Sequence, residues 1–346
     1  MKQQRRNHTV SRFYLSGFAN DKNQIRRTGL AKPGEPHNMS TSDATVQTDF
    51  YLVQEVDGTL NDRIERYFGG IESRAALGFN ALLDDHEWPP SPTTRERIST
   101  WVGLQFLRAP SERTMMNESA EIMLKLQMAV DGREGIRTAL NYGEHVEATE
   151  DEVDVALAQY FGPGSLHMKL NPNEHIRFIL EELRGVTSTM YARQWSVLEF
   201  RTESLITCDH PVVLVPMERE SSFKGVGLLS AGGVFVPLNR RVGLLMGDVP
   251  PEVRQGEFGV GDAKYWGDTY FANYFNSLII ANAREAIFTH PDDAQLTQRP
   301  LPPPKRQELT HPDYKVWRDV GEKIRSGEGV LAEPPENDPH STGLGD

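Results

Sequence analysis

The chain has 346 residues, of which 38% are hydrophobic and 25% charged, with a net charge of −12 and one cysteine, Cys208. This length can bury a substantial core, and fifteen Phe, ten Tyr and five Trp argue against a globally disordered chain. One cysteine excludes an internal disulfide and a cysteine-based zinc cluster. No apolar run reaches the roughly 18 residues of a membrane span, and the apolar stretch 13–19 is too short and broken for a signal peptide. We therefore expect a soluble cytoplasmic protein without a membrane partner.

The charge is unevenly distributed along the chain. Residues 1–33 contain eight Lys and Arg and one acid, Asp21, so they carry +7, whereas the other 313 residues carry −19. A basic end on an acidic body can meet phosphates or can pair with the body. We favour pairing because a general nucleic-acid binder is usually basic overall. Nucleic acid or a nucleotide stays open as the alternative partner.

The predicted elements change type along the chain. Short β-type segments come first, at 24–28 and 44–52. Apolar positions then recur at intervals of three and four, which predicts a series of helices: 60–83, a second ending near 108, 112–130, one from Asp151 and one from Asn171. Period-two and short apolar runs follow, at 195–200, 204–207, 212–215, 233–236 and 242–246. The last predicted helix, 262–286, would pack Leu278, Ile279 and an aromatic row on the sheet: Tyr265, Trp266, Tyr270 and Tyr274.

These elements predict an α+β fold, with a central antiparallel or mixed sheet covered by a largely helical middle region, because the strands follow one another too closely for parallel crossovers. A single domain would span 1–290, with a helical insertion at about 60–192 and the C-terminal sheet and helix at about 193–290. A Pro-rich connector and a short helix would occupy 291–325. The acidic, Pro/Gly-rich residues 326–346 would be disordered.

Four stretches carry a family resemblance. The first is His8 followed by Phe13-Tyr14-Leu15 and Phe18. The second is a helical Ile71-Glu72-Ser-Arg-Ala, and the third is a helix end with Gln105, Arg108 and Pro110. The most specific has Trp195 leading a strand, followed by the turn Thr207-Cys208-Asp209-His210-Pro211-Val212. The strand start Pro237-Leu238 and a last helix with Asn276 and Asn282 complete the pattern.

In this order and spacing, the stretches resemble domain-of-unknown-function family 4238 over roughly residues 8–290. Three residues depart from the usual pattern, since Thr9 replaces an aromatic, Ser11 a frequent proline and Cys208 a serine. The resemblance implies no established reaction.

Asp209, at a turn after a strand, can accept backbone N–H bonds, which is a structural role, or act as a base or metal ligand. His8 can transfer protons near neutral pH or close the N-terminal segment onto the sheet. Our functional hypothesis brings His8, Asp209 and His210 together across a cleft, with Arg108 or Arg12 binding an anion. Two His and one Asp would suffice for a divalent metal, the one cofactor that we consider. Two further candidates for ligand binding are Tyr14 and Asn276.

Two classes of function remain open from the sequence. The first is a hydrolase acting on phosphodiesters of nucleic acid or nucleotides through His8 and Asp209. The second is a non-catalytic binding or interaction protein in which these residues are structural. Neither a phosphate-binding Gly loop nor a Gly-x-Ser-x-Gly elbow is present in a suitable context.

Overall fold

The structure is a computed structural model that describes eight stretches of the chain: 6–51, 53–54, 60–144, 147–161, 169–216, 227–248, 261–305 and 314–326. It divides into two compact units, the first made of residues 1–114 and 171–307 and the second of 115–170 and 308–346. None of the helices within the described stretches is long and apolar enough to cross a membrane.

The first unit contains the sheets and confirms the predicted α+β class. Its N-terminal part consists of one short helix and several short strands: β1 (Arg6–His8), α1 (Arg12–Ser16), β2 (Gln24–Gly29), β3 (Lys32–Ser40), β4 (Val46–Thr48), β5 (Val53–Gln54) and β6 (Leu60–Asn61). A helical region follows, with α2 (Arg63–Leu83), α3 (Pro92–Leu107), the start of α4 (Pro110–Glu144) and, after the second unit's segment, α6 (Pro172–Ala192). The C-terminal part comprises β7 (Trp195–Glu199), β8 (Thr207–Cys208), β9 (Val213–Val215), β10 (Gly233–Asn239), β11 (Val242–Met246), β12 (Ala263–Trp266), α7 (Thr269–Asn282), β13 (Ala286–Thr289) and a 3-10 helix (Pro291–Thr297).

Two larger sheets organise this unit. The mixed five-stranded sheet has the order β12-β7-β11-β10-β9, in which the β12–β7 pair is parallel and the other pairs are antiparallel. The antiparallel four-stranded sheet has the order β3-β2-β13-β8, so it joins strands from both ends of the unit. Two short ladders, β1–β4 and β5–β6, complete the pairing.

Local sequence explains why the helices begin where they do. The Ser91 hydroxyl accepts the Thr94 N–H at 3.2 Å before Pro92 opens α3, and Asn171 with Pro172 does the same for α6. At α7 the Asp268 carboxylate accepts the Phe271 N–H at 3.0 Å. These caps supply acceptors for N–H groups that the first helical turn cannot satisfy.

The predicted helix 262–286 is partly wrong. Residues Ala263–Trp266 form the edge strand β12, and α7 begins at Thr269. The buried face of α7 includes Ile279, as predicted, together with Phe275, which we did not single out. The aromatic row that we expected on the sheet is exposed instead, with Tyr265 at 53%, Trp266 at 63%, Tyr270 at 73% and Tyr274 at 44%.

The second unit contains most of α4, α5 (Glu150–Phe161) and α8 (Tyr314–Ser326). Its apolar cluster includes Ile136, Val153, Phe161 and Trp317. Residues 115–170, which belong to the predicted helical insertion, thus group with 308–346, while the predicted boundaries at 290 and 325 stay predictions. Residues 327–346 of the predicted tail lie outside the described residues.

Candidate functional site

The N-terminal motif places His8 at the edge of a buried polar region. His8 ends β1, opposite Val46 of β4, and its Nε2 lies 3.2 Å from the Ser42 carbonyl oxygen. Because a carbonyl only accepts, Nε2 carries the hydrogen and Nδ1 keeps its lone pair when the ring is neutral. Burial lowers the pKa of His8 below its usual 6.5, against an opposing effect of the Ser42 carbonyl and the Glu72 charge. His8 is therefore mainly neutral at physiological pH.

Arg108 is a buried arginine that is hydrogen-bonded to three side chains, those of Ser11, Glu72 and Gln105. We name these four residues the Arg108 cluster. Nη1 of Arg108 donates to Glu72 Oε1 at 2.7 Å. Nη2 donates to Ser11 Oγ at 2.7 Å and to Gln105 Oε1 at 2.8 Å. Ser11 in turn donates to Glu72 Oε1 at 2.8 Å. Arg108 is 1% exposed, so these partners replace the water that its charge loses on burial.

Three family motifs meet in this cluster. Ser11 precedes α1, Glu72 lies on α2, and Gln105 and Arg108 are three residues apart at the end of α3 and so share a face. The N-terminal segment is fixed further by Trp101 Nε1, which donates to Ser11 Oγ at 2.8 Å, and by the Gln105 amide, which donates to a backbone carbonyl of the same segment at 2.8 Å. The cluster therefore attaches the N-terminus to two helices.

Two more titratable side chains lie in the electrostatic field of Arg108. Burial raises the pKa of Glu65 above its usual 4.5, and the Glu72 charge adds to this, while the Asn7 side chain and the attraction of Arg108 oppose it. Glu65 lies on α2 seven residues before Glu72, so both point to one face of the helix. Burial also raises the pKa of Tyr51, whose hydroxyl has no hydrogen-bond partner in the part of the chain that the structure describes. The imidazole of His8 and the carboxyl group of Glu65 thus both lie in the electrostatic field of Arg108 and Glu72.

Asp209 makes other contacts. Its Oδ1 accepts the backbone N–H of Arg284 at 3.0 Å and its Oδ2 accepts that of Glu285 at 2.7 Å. Burial raises the pKa of Asp209, against the opposing effect of these hydrogen bonds. The carboxylate thus holds the connection between α7 and β13, which is the structural role that we weighed from the sequence.

His210, the residue after Asp209, is buried. Its Nε2 is hydrogen-bonded to Ser111 Oγ, and its carbonyl oxygen accepts a bond from the Asn282 amide at 2.6 Å. Burial lowers the pKa of His210 to about 4, so the ring is neutral at pH 7. Across the residues that the structure covers, no hydrogen bond connects His8 with Asp209 or His210.

The other predicted site residues also have identifiable surroundings in the structure. His8 itself lies in the field of Arg108 and Glu72. Tyr14 lies against the most specific motif, with its hydroxyl 2.7 Å from Thr207 Oγ1, so the N-terminal and C-terminal motifs meet at this contact. Asn276 is structural, since its amide accepts the Ile206 N–H at 3.0 Å and donates to the Ser204 carbonyl at 2.9 Å.

Arg12 does not belong to the Arg108 cluster. It is exposed, and its guanidinium makes no hydrogen bond with any described residue. The metal hypothesis gains no support either, because the described ranges contain no group of three His, Cys, Asp or Glu side chains arranged to hold an ion.

Sequence reasoning missed part of the site. Glu72 and Ser11 stood in the motifs without a role, and Glu65 was not singled out. The seven-residue spacing of Glu65 and Glu72 on a predicted helix was a usable signal, because it places two carboxylates on one face. Tyr51 offered none, since its backbone N–H donates to the Asn7 side chain, a partner 44 residues earlier in the chain.

Fold and site together define an α+β protein with a buried, arginine-centred polar site that fixes the N-terminal segment. A family model described as "Protein of unknown function (DUF4238)" matches residues 6–293. The chain belongs to this family. The comparisons with curated proteins and with solved structures found no match.

Proposed function

We propose that this protein is a cytoplasmic hydrolase of phosphodiesters that uses His8 as general base and Glu65 as general acid. The observation that carries the proposal is the arrangement of a neutral His8 and a Glu65 with a raised pKa around the Arg108–Glu72 ion pair. Environments that move the pKa values of neighbouring groups in this way are typical of acid–base sites. The single cysteine agrees with a reducing compartment.

Each group has a definite task in this reaction. Nδ1 of His8 accepts a proton from water while the water oxygen attacks phosphorus. The bond from phosphorus to the leaving oxygen breaks, and protonated Glu65 donates its proton to that oxygen. Arg108 touches neither reacting atom in this scheme. It is a positioning residue, because its bonds to Ser11 and Glu72 keep the segment between β1 and α1 against α2.

Two features support a phosphodiester as the substrate. Basic side chains of residues 1–33 meet few acids: Arg6 pairs with Asp43 at 2.7 Å and Lys32 with Glu35 at 3.5 Å. Other basic side chains of this segment have no ion pair with any described residue: Arg12, Lys22, Arg26 and Arg27. In addition, the exposed aromatic row of β12 and α7 provides faces on which bases can stack, and Arg201 lies 4.2 Å from the Trp266 ring centroid.

The test is hydrolysis of bis(p-nitrophenyl) phosphate and of a single-stranded oligonucleotide by purified variants. His8→Ala and Glu65→Gln should each lose about 10²-fold or more in turnover, the usual contribution of a general base or acid. Asp209→Asn is the matched control and should keep its turnover per folded molecule. The pH profile should be bell-shaped with its maximum on the acid side of neutrality, because His8 must be neutral and Glu65 protonated. Equal turnover in folded His8→Ala protein would refute the proposal.

A second candidate is a non-catalytic binding protein, which one observation favours. The carboxylate of Asp209 and the terminal nitrogens of Arg108 are used by bonds inside the protein. In this case the wild-type chain shows no turnover, and His8→Ala lowers the melting temperature without changing any reaction rate.

A further inference from the structure

A second site lies on the antiparallel four-stranded sheet. A pocket of about 430 Å³ opens beside β2, β3, the connection between α7 and β13, and the segment 304–305. Four cationic and two anionic side chains line it, and we name it the cationic pocket: Arg27, Lys32, Arg284, Lys305, Glu35 and Glu285. By contrast, a larger pocket of about 640 Å³ beside α3 and α6 is lined by one acid, Glu96, and one base, Arg184.

The two arginines of the cationic pocket have unused donors. The guanidinium groups of Arg27 and Arg284 make no hydrogen bond or ion pair with any residue that the structure describes. Nε of Arg284 is buried and has no acceptor among the described residues. The Nε atoms of Arg108 and Arg193 share this property, but the terminal nitrogens of those two arginines are bonded inside the protein, which those of Arg284 are not. A buried donor without a partner loses the free energy of its bond to water, so proteins rarely leave one unless a ligand or water supplies an acceptor.

The cationic side chain of Lys305 lies close to the positive charge of Arg284. Lys305 donates from Nζ to the Ala281 carbonyl oxygen, and no carboxylate pairs with it in the described chain. Burial lowers the pKa of Lys305, and the positive charge of Arg284 lowers it further. Of the two carboxylates, Glu35 is 3.5 Å from Lys32, and Glu285 is exposed. Positive charge therefore predominates where Arg27, Arg284 and Lys305 meet.

The fold holds these cations in place. Asp209 fixes the backbone at Arg284 and Glu285, and the Lys305 N–H donates to the Arg284 carbonyl oxygen at 3.1 Å. On β2, a Cβ atom on Gly29 would lie 2.9 Å from Nη1 of Arg27, so the glycine leaves room for the guanidinium to cross the strand. A family motif residue and a glycine thus both serve the position of an unpaired arginine.

We infer that the cationic pocket binds the phosphate group of a small phosphorylated molecule. Phosphate matches the donors, because guanidinium groups bind its oxygens in pairs and a lysine adds a point charge. The volume lies in the range of small-ligand pockets, about 300–1,000 Å³. The pocket shares no lining residue with the His8 site, so the inference stands independently of the proposed hydrolase activity.

Calorimetric titration of the full chain with pyrophosphate and with adenosine monophosphate tests this inference. Arg27→Gln and Arg284→Gln should each weaken binding by about tenfold, which corresponds to one lost charge-assisted contact. Arg12→Gln is the matched control, since it removes an arginine of the same basic segment outside the pocket. If Arg284→Gln does not fold, Arg27→Gln alone decides the outcome.

Three results would overturn the inference. The first is no binding of either probe by the wild-type chain, and the second is equal weakening by Arg12→Gln and Arg27→Gln. The third is tighter binding of a single-stranded oligonucleotide than of both small probes, because the ligand would then be a polymer backbone. Turnover of bis(p-nitrophenyl) phosphate, measured on the same variants, separates these results from a failure of the hydrolase proposal.

Discussion

Two arginines in one unit of this molecule show opposite environments. Arg108 is almost inaccessible to solvent, yet both of its terminal nitrogens have partners: Ser11, Glu72 and Gln105. Arg284 lies at a pocket wall, and its buried Nε has no acceptor in the described chain. Nε of Arg108 also lacks an acceptor among the described residues, so the difference lies in the terminal nitrogens. Those of Arg108 are bonded inside the protein, whereas those of Arg284 have no partner in the described chain.

The difference shows how to separate structural from functional charge. A buried charge that is fully paired contributes to the position of the chain, and removing it leaves its partners unsatisfied. A cation without partners adds little to the fold, so its presence calls for another explanation, such as a ligand. Membership of a family motif therefore does not indicate a ligand-binding role here, since the internally bonded Arg108 lies in a motif and the unpaired Arg284 does not.

The largest expected effect comes from Arg108→Met compared with Arg284→Met. Arg108→Met should lower the free energy of unfolding by about 3–5 kcal/mol, because Glu72 is left as an unpaired, partly buried charge. Arg284→Met should lower it by about 1 kcal/mol or less, since no hydrogen bond of the side chain is lost and only its attraction for the Glu112 carboxylate is removed. Urea unfolding measures both values. Similar losses in the two variants would remove the distinction between the Arg108 cluster and the cationic pocket.

Asp209→Asn should have a smaller effect. The asparagine keeps one acceptor, so one of the two backbone N–H groups is left unpaired and stability falls by about 1–3 kcal/mol. Asp43→Asn is the control, because its exposed ion pair with Arg6 is worth about 0–1 kcal/mol. Asp209→Asn should also weaken pyrophosphate binding, because the carboxylate positions Arg284. Unchanged binding together with lost stability would mean that Asp209 serves the fold alone.

Glu112→Gln sharpens the comparison through pH. Burial raises the pKa of Glu112 to about 7, although Arg284 attracts its charge. A raised pKa in the folded state means that this group contributes stability below pH 4.5, its usual value, and that the contribution is lost as the pH rises through about 7. Glu112→Gln should therefore match the wild type at pH 4.5 and exceed it by about 1–3 kcal/mol at pH 8. Unfolding curves at the two pH values check this, and a constant difference would contradict it.

Much of the fold follows from the sequence. Helical spacing and the caps Ser91 and Asn171 predict α3 and α6 close to their true starts, because these signals are local. The edge strand β12 was missed, because four residues before a capped helix look like its first turn. Whether those aromatics are buried depends on the other strands of the sheet, which no local pattern reveals.

The sites divide in the same way. His8 and Arg108 were singled out by their motifs, and the structure does place them in one electrostatic environment. The partners of Asp209 are backbone groups 75 and 76 residues further along, so its structural role could be weighed from the sequence but not established. The cationic pocket depends on the pairing of β2 with β13, which brings Arg27 and Arg284 to one pocket wall.

Gly29→Ala should give the smallest effect and test the pocket most selectively. The new methyl group would displace Nη1 of Arg27, which is the far end of a flexible side chain, so stability should change by less than about 0.5 kcal/mol. Pyrophosphate binding should nevertheless weaken by about threefold, equivalent to about 0.7 kcal/mol, because the displaced guanidinium no longer meets the anion in its best geometry. Gly34→Ala on the neighbouring strand β3 is the matched control, since its Cβ would meet no atom within 4 Å. A loss of binding without a loss of stability at Gly29, and neither at Gly34, would place the effect on Arg27 rather than on the sheet. Equal binding in both variants would mean that the position of Arg27 over Gly29 does not matter for the anion.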